Sequence, residues 1–163
     1  MENRDFYVDL LIGDLESFII SEKKKVSDIL SKNENISLED TVFVLDRLSK
    51  SLKKTVNILD FVNEVDNLTT LRGISILASE TIAWILFTLP SIEKNLPYFD
   101  NDFKIYNKSI VDYLADILLE LESFIEEPSR IKFIGEDLQK NINYVSMTMS
   151  HTSNILKKGL LEN

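Results

Sequence analysis

The feature that most constrains the fold is the spacing of apolar residues, which recur at three- and four-residue steps through most of the chain. This period is that of one face of an α-helix, and no segment requires a β-strand. The stripe of the second predicted helix consists of Leu45, Leu48, Leu52, Val56, Leu59 and Val62, and that of the third consists of Leu71, Ile74, Ala78, Ile82, Ile85 and Leu89. The stripe of the fourth begins with Phe103 and Tyr106. Four glycines and three prolines in 163 residues are too few for a turn-rich β protein. We therefore predict an all-α fold, an antiparallel helical bundle of four long helices plus a shorter central apolar helix.

Capping and breaking signals place the helix ends. Ser37 is a hydroxyl N-cap followed by acidic residues, which favours a helix start at that point. The third helix is expected to start behind Asn67. Pro90 disfavours helix in the residue before it and is expected to end the third helix. The length of the chain fits one domain. We predict a single helical-bundle domain over residues 1–163, with helices at about 5–32, 38–65, 69–89, 102–126 and 129–160.

The residue content argues against several classes of function. Without cysteine the chain has no disulfide, thiolate zinc site or cysteine nucleophile, and it contains one histidine. It also lacks the Glu-x-x-Glu pairs of helical magnesium-dependent hydrolases. The net charge of −9 repels phosphate backbones. We expect no enzyme activity, no cofactor and no nucleic-acid partner.

The third predicted helix differs from the others because it is apolar on both sides. Residues 67–97 carry two basic and two acidic residues and are neutral in sum. Such a helix is either the buried centre of the domain, in which case Glu80 needs a hydrogen-bonded partner, or a surface that another subunit covers. We predict the second arrangement, a partner interface formed by Ile76, Leu77, Glu80, Trp84 and Phe87.

A basic patch is expected where the first two helices lie side by side. If they form a hairpin about Asn35, the cations near its two arms become neighbours. They are Lys23, Lys24, Lys25, Arg47, Lys50, Lys53 and Lys54. The patch could bind an acidic peptide or a phosphorylated ligand, although interleaved acidic residues favour an ordinary solvated face.

His151 is the only imidazole, and its helical position turns it away from the core stripe towards solvent. An exposed histidine on a helical bundle is also how phosphotransfer modules are built. The residues after it depart from that pattern, since Asn154 and Ile155 stand where those modules have Lys and Gly. His151 is therefore a possible phosphoacceptor, and an ordinary surface residue is favoured. Asp112, Asp116 and Glu120 form a ladder on one helix that also favours a solvated face over a metal site.

These observations favour a non-enzymatic helical interaction module, an adaptor, assembly subunit or inhibitor that binds a protein partner or itself as a homo-oligomer. One alternative is a histidine phosphotransfer or phosphate-sensing module. Another is a peripheral membrane-associated protein that uses the Trp84 helix. We expect no integral membrane span, because Glu80, several hydroxyls and Pro90 interrupt that helix. The first residues lack a signal-peptide pattern, so we expect a cytoplasmic location.

Overall fold

Helices make up almost all of the computed structural model, which describes residues 2–32, 35–96, 104–105, 108–134 and 136–162. The all-α prediction is confirmed. The α-helices of this part are α1 (Glu2–Lys32), α2 (Leu38–Leu59), α3 (Leu68–Ile92), α4 (Ile110–Glu126) and α5 (Glu136–Glu162). Two short antiparallel strands, β1 (Lys104–Ile105) and β2 (Lys108–Ser109), precede α4. That the whole chain forms one domain stays a prediction.

The direction of α1 and α2 follows from the residues that face each other. Glu22 of α1 meets Arg47 of α2, and Tyr7, nearer the start of α1, meets Phe61 just beyond the end of α2. The two helices are therefore antiparallel, as predicted.

The other helices extend this arrangement into a bundle. Asp9 and Ile12 of α1 contact Thr70 and Gly73 of α3, so α1 and α3 run parallel. In addition, α2 packs against α5, α3 packs against α4, and α4 packs against α5. Helices α2, α3, α4 and α5 thus each pack against two others of the four, and α1 packs against α2 and α3.

The core is centred on α2 and α3. The predicted α3 stripe of Leu71, Ile74, Ala78, Ile82, Ile85 and Leu89 is fully buried. The predicted α2 stripe is buried as well, with Leu45, Leu48, Leu52, Val56, Leu59 and Val62 all inside. The apolar period of each helix therefore identified its core face correctly, because burying apolar surface is the main force that orients a helix in a bundle.

Two helix starts were placed correctly by their N-caps. The Ser37 hydroxyl accepts a hydrogen bond from the backbone N–H of Asp40 at 3.0 Å. The Asn67 side chain accepts from the backbone N–H groups of Thr69 and Thr70 at the start of α3. Each cap satisfies donors that have no partner within the helix.

Two helix ends differ from the prediction. Helix α2 ends at Leu59, and a separate 3-10 turn, Val62–Glu64, follows it. Helix α3 continues through Pro90 to Ile92. Pro90 lacks the N–H that would bond the carbonyl of Leu86, and α3 ends two residues later, so the disruption is confined to the last turn. With 25 residues, α3 is also longer than α2 with 22 and α4 with 17, so it is not a shorter helix.

The largest difference concerns the start of α4, which was expected near Asp102 and begins at Ile110. A small hairpin stands before it, in which Lys104 pairs with Ser109 and Ile105 with Lys108. This hairpin corrects the expectation that no strand occurs. Phe103 and Tyr106, on which the longer helix was predicted, lie outside the described residues.

The start of the last helix also differs. The expected helix from about Ser129 is instead a 3-10 segment, Pro128–Phe133, and α5 begins at Glu136. Ile134 follows the 3-10 segment and lies outside both helical segments.

Candidate functional site

The outer face of α3 carries the predicted interface residues that solvent can reach. Ile76, Glu80 and Phe87 lie on one side of the helix, four and seven residues apart, and all three are exposed. Phe87 is 83% exposed and Ile76 is 36% exposed. Large aromatic side chains are what interface centres favour, so Phe87 is the strongest candidate contact residue of this helix.

The exposure of this face bears on the arrangement in which α3 is buried on every side. A helix wrapped on every side would bury Glu80, yet Glu80 is exposed and needs no internal partner. The fully buried alternative is therefore wrong. Helix α3 buries one side in the core and leaves the other uncovered.

Leu77 does not share that surface with the other predicted interface residues. It is 5% exposed and belongs to the core cluster. Successive helix residues point about 100° apart, so Leu77 turns inward while Ile76 turns outward. Leu77 therefore contributes packing and is not available for direct contact with a partner.

Trp84 lies at the edge of the outer face and is half-buried. It lines a groove of about 520 Å³ between the second halves of α1 and α3. The lining residues are Lys23, Val26, Ser27, Leu30, Ser31, Trp84 and Thr88. The only tryptophan of the chain thus borders a surface groove, with Phe87 one turn away.

The predicted basic patch is divided by the structure, and Arg47 has an internal role. Its Nη1 lies 3.4 Å from Oε1 of Glu22, whose side chain is almost completely buried. The Nζ of Lys25 lies 3.6 Å from the same oxygen. Oε2 of Glu22 and Nε of Arg47 have no hydrogen-bond partner among the described residues. Arg47 therefore compensates a buried carboxylate, which leaves its charge poorly placed for an external anion.

Lys50 and Lys54 of α2 lie over an aromatic ring of α1. Their Nζ atoms are 5.7 Å and 4.0 Å from the ring centroid of Phe18, within the range of cation–π contacts. Lys54 also lines a groove of about 390 Å³ between α1 and α2. Its other lining residues are Tyr7, Leu11, Asp14, Leu15, Phe18, Asn57, Ile58 and Phe61.

The three remaining cations of the predicted patch are Lys53, Lys23 and Lys24. Lys53 lines a groove of about 340 Å³ against α5, together with Asn143 and Ser150. Lys23 borders the Trp84 groove, and Lys24 is exposed on α1. Six of the seven predicted cations thus contact a carboxylate, lie over an aromatic ring or line a groove, and a shared anion-binding patch stays a prediction.

The other residues considered for chemistry are spread over the surface. His151 is exposed on α5, as its helical position indicated. Asp112, Asp116 and Glu120 are exposed along α4. Over the described ranges, no three His, Cys, Asp or Glu side chains stand where they could hold a metal ion together.

The length and apolar character of α3 raise the question of whether it spans a membrane. The stretch Leu68–Asn95 has the length and mean hydropathy of a possible span, and 56% of its most apolar window is buried inside the protein. The core helix of a soluble protein has the same properties, so this finding is weak support for a span.

One group of surface residues was missed by the sequence analysis. Phe6, Leu10 and Ile20 of α1 are 66%, 54% and 61% exposed. Their signal was weak, because Leu10 follows Phe6 by four residues but Ile20 comes ten residues later, and the stronger core pattern of the same helix concealed it. Together with α3, helix α1 thus presents apolar side chains to solvent.

Fold and surface define this protein as an all-α helical bundle with uncovered apolar residues on α1 and α3. The chain belongs to a family described as "Uncharacterized protein", whose sequence model matches residues 8–163. It is similar to an "Uncharacterized protein" of Aquifex aeolicus (strain VF5), with 29% identity over 160 residues that cover 94% of this chain and 98% of the relative. No solved structure matches the chain.

Proposed function

We propose that this protein is a non-enzymatic helical interaction module, an adaptor, assembly subunit or inhibitor that binds a protein partner or a second copy of itself. The observation that carries the proposal is Phe87, which is 83% exposed on a helix whose other side forms the core. Solvent-facing aromatic and aliphatic side chains on such a helix favour a contact surface.

The outer face of α3 is suited to a protein contact by its composition. Ile76 and Phe87 supply apolar area, Glu80 supplies one charge between them, and Trp84 borders the adjacent groove. Apolar anchors with a polar group at their edge are the usual composition of a specific interface. The proposed contact surface therefore consists of Ile76, Glu80, Trp84 and Phe87.

An enzymatic role has less support among the described residues. None of the three grooves described above is lined by histidine, and one of them has an acidic lining residue, Asp14, which shares its groove with Lys54. We expect no hydrolase or transferase turnover. Metal-dependent turnover that disappears in Asp116→Asn would contradict this part of the proposal.

The experiment that tests the interaction role compares three forms of the full chain in the cells that make it. Wild type, Phe87→Ser and Leu119→Ser are purified under the same conditions, and the proteins that accompany each are quantified. Leu119 is the matched control, because it is an apolar residue that is 67% exposed on a different helix, α4. We expect partners that are retained by Leu119→Ser and lost by Phe87→Ser. Equal retention by all three forms would show that this face of α3 is not the contact surface.

A further inference from the structure

A line of exposed residues runs along α1 on the side away from the core. Phe6, Leu10, Gly13, Ser17 and Ile20 follow at alternating four- and three-residue steps, and all five are exposed; we name this line the α1 outer stripe. The buried residues of the same helix, Val8, Leu15, Ile19 and Val26, point in the opposite direction. The spacing of the stripe is that of a helix-pairing seam.

Gly13 has no role inside the bundle that explains it. It lies in the interior of a 31-residue helix, where glycine destabilises relative to alanine. A Cβ atom at this position would meet nothing within 4 Å, so packing within the chain does not require a glycine. A residue without a side chain does allow another backbone or a large side chain to approach closely. Gly13 therefore marks a place on the stripe where another helix can lie close.

The charges of α1 indicate what that other helix is. Residues 2–16 contain five acidic residues and one basic residue, whereas residues 22–32 contain four lysines and two acidic residues. A second copy of α1 in antiparallel orientation would bring the acidic half of each helix beside the basic half of the other. A parallel copy would bring like charges together. Charge complementarity thus favours an antiparallel second copy.

We propose that two copies of this protein associate through the α1 outer stripe, antiparallel, with Ile20 of each copy packed over Gly13 of the other. In this register Asp9 of one copy lies level with Lys24 of the other, and both residues are exposed. The contact is two-fold symmetric, so each copy supplies the same large and small residues. This inference rests on the proposed interaction function and names one of its partners.

The first test measures mass in solution by sedimentation over a range of concentrations of the full chain. Wild type is expected to form a dimer, and Ile20→Asp should raise its dissociation constant by at least about 30-fold, as for a residue at an interface centre. Leu119→Asp is the matched control and should remain a dimer, since Leu119 is exposed on α4. Thermal melting of both variants checks that a change in mass does not come from unfolding.

The second test determines whether the two α1 helices of the dimer are antiparallel or parallel. It uses single-cysteine variants, because the natural chain contains no cysteine. Gly13→Cys and Ile20→Cys are prepared separately, and each is oxidised alone and as an equal mixture. Antiparallel pairing predicts that the mixture forms a disulfide between the two different chains faster than either variant forms one with itself. Faster reaction of each variant with itself would overturn the antiparallel proposal.

Other outcomes would contradict the proposed dimer without deciding whether α3 forms the contact surface of the proposed function. A wild-type monomer at every concentration overturns it, whether or not the stripe then binds another protein or a lipid vesicle. A dimer that survives Ile20→Asp and dissociates in Phe87→Asp also overturns it and assigns self-association to α3. In either case the partner experiment with Phe87→Ser still decides the proposed function by itself.

Discussion

The guanidinium of Arg47 on α2 lies 3.4 Å from the carboxylate of Glu22 on α1, and only 1% of Glu22 is exposed. The pair joins the two helices of the first hairpin across a buried boundary. Removing one partner of a buried ion pair is costly because the other charge is left without compensation. The contact therefore links the attachment of α1 directly to the stability of the protein.

We expect Arg47→Ala to lower the free energy of unfolding by about 2–4 kcal/mol, somewhat less than for a fully buried pair because Lys25 also approaches Glu22. Urea denaturation measures the change. Lys53→Ala is the control and should change stability by about 0.5 kcal/mol or less, since Lys53 is exposed. The double variant Glu22→Met with Arg47→Met should recover part of the loss. An Arg47→Ala protein as stable as wild type would contradict a structural role for the pair.

The two sides of α3 should respond differently to truncation. Ile82 is fully buried, so Ile82→Ala should cost about 2–5 kcal/mol through lost packing and a cavity. Phe87→Ala should cost about 0.5 kcal/mol or less, because its ring is largely in solvent. Half-buried Trp84 should fall between them when changed to alanine. Thermal melting of the three variants compares them directly, and equal losses for Ile82→Ala and Phe87→Ala would mean that Phe87 is packed and not free.

Asn95 should stabilise the contact between the segment that follows α3 and the start of α2. Its side-chain amide donates to the backbone carbonyl of Ile36 and to the Thr41 hydroxyl, which ties the segment after α3 to the start of α2. We expect Asn95→Ala to cost about 1–2 kcal/mol, because these acceptors lose a partner in a partly buried place. Exposed Asn57 is the matched control, and denaturation of Asn57→Ala should show a change of about 0.5 kcal/mol or less. Identical midpoints for the two variants would contradict the prediction.

His151 should behave as an ordinary surface residue. His151→Ala is expected to change the free energy of unfolding by about 0.5 kcal/mol or less and to leave partner retention intact. Incubation of wild type with a small phosphodonor, followed by intact mass measurement, tests the phosphotransfer alternative. A phosphorylated wild type beside an unmodified His151→Ala protein would establish that alternative.

The sequence by itself determined the fold class and the inward face of the central helices. The six-residue core stripes of α2 and α3 were read from apolar period alone, because burial of apolar surface orients a helix wherever its neighbours lie. Ser37 and Asn67 marked two helix starts because N-capping is a local interaction. Ser109 offered the same signal for α4, where its hydroxyl caps the N–H of Asp112, but apolar residues upstream continued the helical spacing and hid it.

Tertiary structure decided which residues remain available at the surface. The spacing of apolar residues gives the direction of each side chain around the axis of its own helix. It does not show which other helix packs against each face. Leu77 and Ile76 are adjacent in the chain, yet packing buries the first and exposes the second. Arg47 was grouped with the surrounding lysines by its charge, and only the approach of α1 placed it against Glu22. The uncovered face of α3, on which the proposed function rests, and the uncovered face of α1, on which the proposed dimer rests, exist because the other helices pack elsewhere.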